Sequence, residues 1–155
     1  MTRRPTLIPA EMNFDPARWR PSQFQIAAWG DSVDIAHGIE RNGIGFYVHS
    51  KIVARYRRKD GTRRIDWRFS ATHLNSGHAV RFFETRDPRS IIPAVDDLAD
   101  LCDWSFDGLD GWKNFVPDLP DRMQAWHRRH EMAARSGGGM RSEAAARVIA
   151  MSRAG

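Results

Sequence analysis

Between Ile44 and Tyr56 the apolar residues Ile44, Phe46, Val48, Ile52, Ala54 and Tyr56 occupy even positions, and only Ser50 breaks the set. The odd positions include His49, Lys51, Arg55 and Arg57. A period of two marks a strand with one buried and one solvated face. Asp60-Gly61 then predicts a two-residue type I′ turn that pairs Lys59 with Thr62. In that register Tyr56 faces Ile65, Ala54 faces Trp67 and Ile52 faces Phe69 on the apolar side. Arg57 faces Arg64, Arg55 faces Asp66 and Val53 faces Arg68 on the other. Turn chemistry and hydrophobic pattern select the same pairing. The strands are expected over 44–58 and 63–71. The first exceeds the usual strand length, so a bend or bulge is expected at His49-Ser50.

After a turn at 73–77, a third strand is expected from His78 to Glu84, with Val80 and Phe82 on one face and Arg81 and Phe83 on the other. Upstream, Phe24, Ile26 and Ala28 alternate as in a strand, while Pro21 at an N1 position would also start a short helix. Asp31 or Ser32 as N-cap, Val33, Ala36 and Ile39 at helical spacing, and Asn42-Gly43 as a stop predict a helix before the hairpin. Downstream, Ile91, Val95, Leu98 and Leu101 or Cys102 predict a helix opened by Asp87-Pro88. Trp104 to Val116 reads as an aromatic-packed loop. Asp118-Leu-Pro-Asp121 starts a further helix running to about Arg135.

These elements predict an α+β fold, a three- to four-stranded antiparallel meander covered on one face by helices. Residues 1–22, with prolines at 5, 9, 16 and 21, form an extended arm that lays Leu7, Ile8, Phe14 and Trp19 over the domain. Residues 23–135 form a single domain. Residues 136–155 hold the linker Ser136-Gly-Gly-Gly139 and a short Ala-rich helix bearing Val148 and Ile149.

Length and composition agree with one globular domain: 155 residues, 41% hydrophobic and 28% charged. No run reaches the length of a membrane span, no apolar stretch of a signal peptide follows Met1-Thr-Arg-Arg-Pro5, and the single Cys102 fits a reducing compartment, so a cytoplasmic protein is expected. The formal charge is +5 and the pI about 10.1, which invites a nucleic-acid reading. Of 24 basic side chains only Lys51, Lys59 and Lys113 are lysines, a bias that a GC-rich coding sequence also produces. The distribution is sharper than the sum. Residues 87–121 carry nine aspartates against Arg89 and Lys113, whereas the segments on either side are basic.

The first functional expectation is a non-catalytic binding protein whose arginine-rich hairpin face contacts nucleic acid or another polyanion. Lys51, Arg55, Arg57, Arg64 and Arg68 would form that face, with Arg81 joining from the third strand. A two-stranded ribbon fits a major groove, and arginines at strand spacing meet phosphates or guanine edges. The other use of such charge is to protect a sheet edge from pairing. Like charges placed directly across a sheet oppose each other, which points to an anion between them. A protein-interaction module is the alternative, using Asp96, Asp97 and Asp100 with Val148 and Ile149. A hydrolase-type enzyme built on the histidines near 73–78 is the second alternative. His127-Arg-Arg-His130-Glu131 lacks zinc-protease spacing, no calcium-loop, P-loop, dinucleotide or nucleophile-elbow pattern occurs, and Cys102 sits on an apolar stripe. No cofactor, metal or catalytic residue is assigned.

Overall fold

The computed structural model describes residues 8–9, 11–27, 32–108 and 111–131. Five antiparallel strands follow one another in space as they do in sequence. They are β1 (Arg20–Ala27), β2 (Val33–Arg41), β3 (Ile44–Arg57), β4 (Arg63–His73) and β5 (Ala79–Thr85). A 3₁₀ turn (Pro88–Ile91), α1 (Ile92–Asp100), the single turn α2 (Trp112–Phe115) and α3 (Leu119–Arg129) complete the described chain. The class is α+β, with an open antiparallel sheet and a few short helices. The linker and tail helix expected over 136–155 lie outside the described residues, as does Leu7.

One of the two strands before the hairpin stands where the sequence suggested a helix. The segment expected to be a helix before the hairpin is β2, and Asn42-Gly43 is the turn of a hairpin rather than a helix stop. Both turn residues have positive φ, +55° and +87°, which is type I′ geometry. Asn42 also reaches across the fold: its Nδ2 donates to the carbonyls of Ala99 and Cys102, each at 2.7 Å, at the end of α1. Gly38 opposes Tyr47, and a Cβ there would lie 2.1 Å from the Phe46 carbonyl oxygen, so the close approach of β2 to β3 requires glycine. The strand alternative for 22–29 is the one adopted, in β1, where Pro21 is tolerated on an edge.

The core joins Ile44, Phe46, Phe69, Ala71 and Phe83 of the sheet to Val95 and Leu98 of α1 and Met123 and Trp126 of α3. Indole N–H groups tie this layer together: Trp104 donates to the Leu98 carbonyl (2.9 Å) and Trp126 to the Ala94 carbonyl (2.8 Å). Trp19 of the N-terminal arm is buried, and Ile8 and Phe14 pack against the same cluster. On the second sheet face Ser70 and Thr72 are also buried. There the β1–β2 hairpin bends back, with the Phe24 ring against Gly45 and the Ala27 N–H donating to the Gly77 carbonyl at 2.8 Å.

The β3–β4 hairpin departs from the expected register. Its connection is a three-residue loop: the Gly61 N–H donates to the Arg58 carbonyl (2.9 Å) and the Arg58 N–H to the Thr62 carbonyl (2.7 Å). Gly61 takes φ +84° while Asp60 keeps a negative φ, which is a turn followed by a glycine bulge and not type I′. Register shifts between Val48 and Ser50, and between Val53 and Arg57, displace the pairing further. Trp67 therefore faces Lys51 instead of Ala54, Phe69 faces Val48 instead of Ile52, and Arg57 faces Arg63 instead of Arg64.

The first of these bulges lies at the expected position and has a consequence for every residue beyond it. Cross-strand partners share a face. Along β4 the odd positions Phe69, Ala71 and His73 meet Val48, Phe46 and Ile44, then Trp67, Ile65 and Arg63 meet Lys51, Val53 and Arg57. The inward set of β3 thus changes from even to odd at the bulge. Ile52 and Tyr56, expected on the buried face, are 43% and 81% exposed.

Candidate nucleic-acid interface

β2 pairs with β3 only over Ile44–Tyr47, and β5 reaches β4 no further than Trp67. Among the described residues, the hairpin from Ile52 to Asp66 is therefore a two-stranded ribbon with no third strand paired to it. An isolated two-stranded hairpin is marginal in water, and this one is anchored at its root. The Lys51 ammonium lies 4.7 Å from the Trp67 ring centroid, and Trp67 stacks on Phe69 at 6.1 Å and 14°.

Charge is concentrated on this projection. Residues 51–66 contain Lys51, Arg55, Arg57, Arg58, Lys59, Arg63 and Arg64 against Asp60 and Asp66, a net +5. That equals the formal charge of the entire chain, so everything outside these sixteen residues is neutral in sum. Among the described residues, no carboxylate lies within ion-pair distance of Arg55, Arg57, Arg58, Lys59 or Arg63. Asp60 is occupied at the tip, accepting from the Thr62 N–H (2.9 Å) and hydroxyl (2.6 Å), bonds that hold its carboxyl below the usual range. Arg57 and Arg63 stand directly opposite each other, an arrangement that repels unless an anion lies near.

The rest of the expected arginine face is divided. Arg64 pairs with Asp66 at 3.3 Å and Arg68 with Glu84 at 3.6 Å, on the side carrying Ser50 and Ile52. Arg81 does not join them. It is 1% exposed, on the helix side of the sheet, with its guanidinium 5.4 Å from the Trp126 ring centroid. Lys51 and Arg57 share the face of Trp67, Arg63 and the core, whereas the sequence pattern set Lys51 and Arg57 on the opposite one. Arg58, Lys59 and Arg63 belong to the unpaired cationic group although the sequence reading did not select them. The runs Arg57-Arg58-Lys59 and Arg63-Arg64 flanking a turn were the available signal.

The acidic residues proposed for a partner are engaged within the chain. Asp96 accepts from the Trp19 indole at 2.6 Å, and Asp97 contacts Arg129 at 3.3 Å and His130 at 2.6 Å. Asp100 pairs with Arg18 at 3.1 Å and with Arg41. The strip thus ties the N-terminal arm, the β2–β3 turn and α3 to α1. Val148 and Ile149 lie outside the described residues.

In the 73–78 turn the buried His73 ring stacks on Phe106 at 4.5 Å, and its Nδ1 is 2.7 Å from the Ser76 hydroxyl. The His73 carbonyl accepts from Ser76 and Gly77, so the pair closes a turn. Burial lowers the pKa of His73 and raises that of the Cys102 thiol to about 12. Among the described residues no group of three or more His, Cys, Asp or Glu side chains is placed to hold a metal ion, and no helix is long and apolar enough to cross a membrane.

The fold and its charge define a small α+β protein with one projecting cationic β-ribbon. No protein-family model, curated protein or solved structure matches the chain.

Proposed function

We propose that this is a non-catalytic, cytoplasmic binding protein that holds nucleic acid with the β3–β4 ribbon. The observation that carries the reading is the segregation of charge: five unpaired cations on sixteen residues that extend past the sheet, on a body whose remaining charges balance. A sheet edge needs a lysine or two for protection from pairing. It does not need opposed arginines at the end of a ribbon, where each unpaired cation costs repulsion. A phosphate backbone relieves that repulsion, and the counterions it releases favour binding at low salt.

Titration of a labelled 20-base-pair DNA with the full chain at several salt concentrations tests this. The logarithm of affinity should fall with the logarithm of salt at about 0.9 per phosphate neutralised. The double variant Arg57→Ala/Arg63→Ala should make the slope shallower by about 2, with an unchanged circular dichroism spectrum. No detectable binding at low salt, or an unaltered slope in the variant, would remove the proposal.

A further inference from the structure

Resting on that reading, we infer that the ligand of the ribbon is duplex DNA, with the ribbon seated in the major groove. Single strands are held on aromatic platforms, where successive bases stack on Phe, Tyr or Trp beside a cationic track. From Ser50 to Asp66 the ribbon has one aromatic residue, Tyr56, against seven cations. The next aromatic, Trp67, has one ring face under the Lys51 ammonium and stacks with Phe69, so it offers no platform. The composition is that of a surface that meets phosphates and base edges, not stacked bases.

Shape selects among duplexes. Two paired strands lie about 4.8 Å apart, a ribbon that the B-form major groove admits. The B-form major groove is about 12 Å wide and the minor groove about 6 Å. The A-form major groove of RNA is too narrow for side chains to read. Placement of charge agrees. Arg57 and Arg63 sit on opposite strands of one face, and Arg58 and Lys59 extend over the turn. A ribbon entering a groove meets a phosphate wall along each of its strands. Among the described residues no third strand pairs with Ile52–Asp66.

The test compares a 20-base-pair DNA duplex, one of its strands, and an RNA duplex of the same sequence, each titrated with the full chain at one salt concentration. The DNA duplex should bind at least tenfold more tightly than either of the others. A DNA duplex with bulky substituents on pyrimidine C5, which fill the major groove, should lose at least tenfold, whereas a minor-groove dye should leave binding unchanged. Tyr56→Ala should change duplex affinity less than threefold. Equal or tighter binding of the single strand or the RNA duplex, indifference to the C5 substituents, or a tenfold loss in Tyr56→Ala overturns the inference and leaves nucleic-acid binding by the ribbon standing. Absence of binding to all three overturns both.

Discussion

Burial makes the charged form of His73 costly in the folded protein. Its pKa lies below the ordinary value of 6.5. Acidification therefore delivers protons to the unfolded chain in preference. The contribution of the buried His73 ring to stability is complete above about pH 6.5 and is lost as the pH falls below it toward the lowered folded value. The exposed carboxyls of Asp60, Asp103 and Asp118, held low by hydrogen bonds to Thr62, Ser105 and Arg122, titrate beneath that window. Denaturant midpoints measured from pH 7.5 to 5.5 should decline, and His73→Gln should flatten the decline; a pH-independent midpoint would contradict the burial argument. Sequence placed His73 at a turn, as one of the histidines of a hydrolase alternative. Its role as a turn brace depends on Phe106, thirty-three positions away, a contact no local pattern announces. Arg81 teaches the same point: alternation placed it opposite Phe82, but which of the two faces met Trp126 was set by the helices.

The β2–β3 hairpin shows how one dipeptide supports two readings. Asn-Gly ends a helix by a left-handed residue and makes a type I′ turn by two of them. Only pairing with β3 decides between these, and Gly38, a liability in a helix, becomes the position where two backbones meet. Asn42 then does two things at once, tolerating positive φ and satisfying two carbonyls at the end of α1. Asn42→Ala should destabilise the fold by about 2 kcal/mol, from two lost hydrogen bonds and an unfavourable φ. Thermal or urea unfolding measures this, and a change below about 0.5 kcal/mol would show that the link between hairpin and helix is dispensable. In the β3–β4 hairpin, Asp60-Gly61 announced a turn correctly but not its length. The three-residue loop and two bulges together moved the register by three to four residues.

The ribbon is rooted at Lys51, Trp67 and Phe69, with one further ion pair from Arg86 to Asp66 at 3.6 Å, so ribbon and body should be separable. Replacing residues 54–64 by Asn-Gly closes the Val53–Ile65 pair with a two-residue turn and removes Arg55, Arg57, Arg58, Lys59, Arg63 and Arg64. The shortened protein should keep its melting temperature within about 4 °C, the equivalent of about 1 kcal/mol for a chain of this size, and lose DNA binding. Unfolding of the body would mean the ribbon carries stability, and retained binding would move the interface elsewhere. Much of the molecule was legible in its residues: the long hairpin and its first bulge, the third strand, the helix at Ile91–Cys102, the helix from Asp118, and the concentration of arginine. Period, turn residues and charge are local properties and are readable one segment at a time. Which face of the hairpin is wet was not readable, because a bulge reverses the alternation and only the neighbours decide what is covered. Among the described residues no further strand pairs beyond Trp67, so Ile52 and Tyr56 stay in solvent, and Lys51, Arg57 and Arg63 stand on the side that, nearer the body, forms the core.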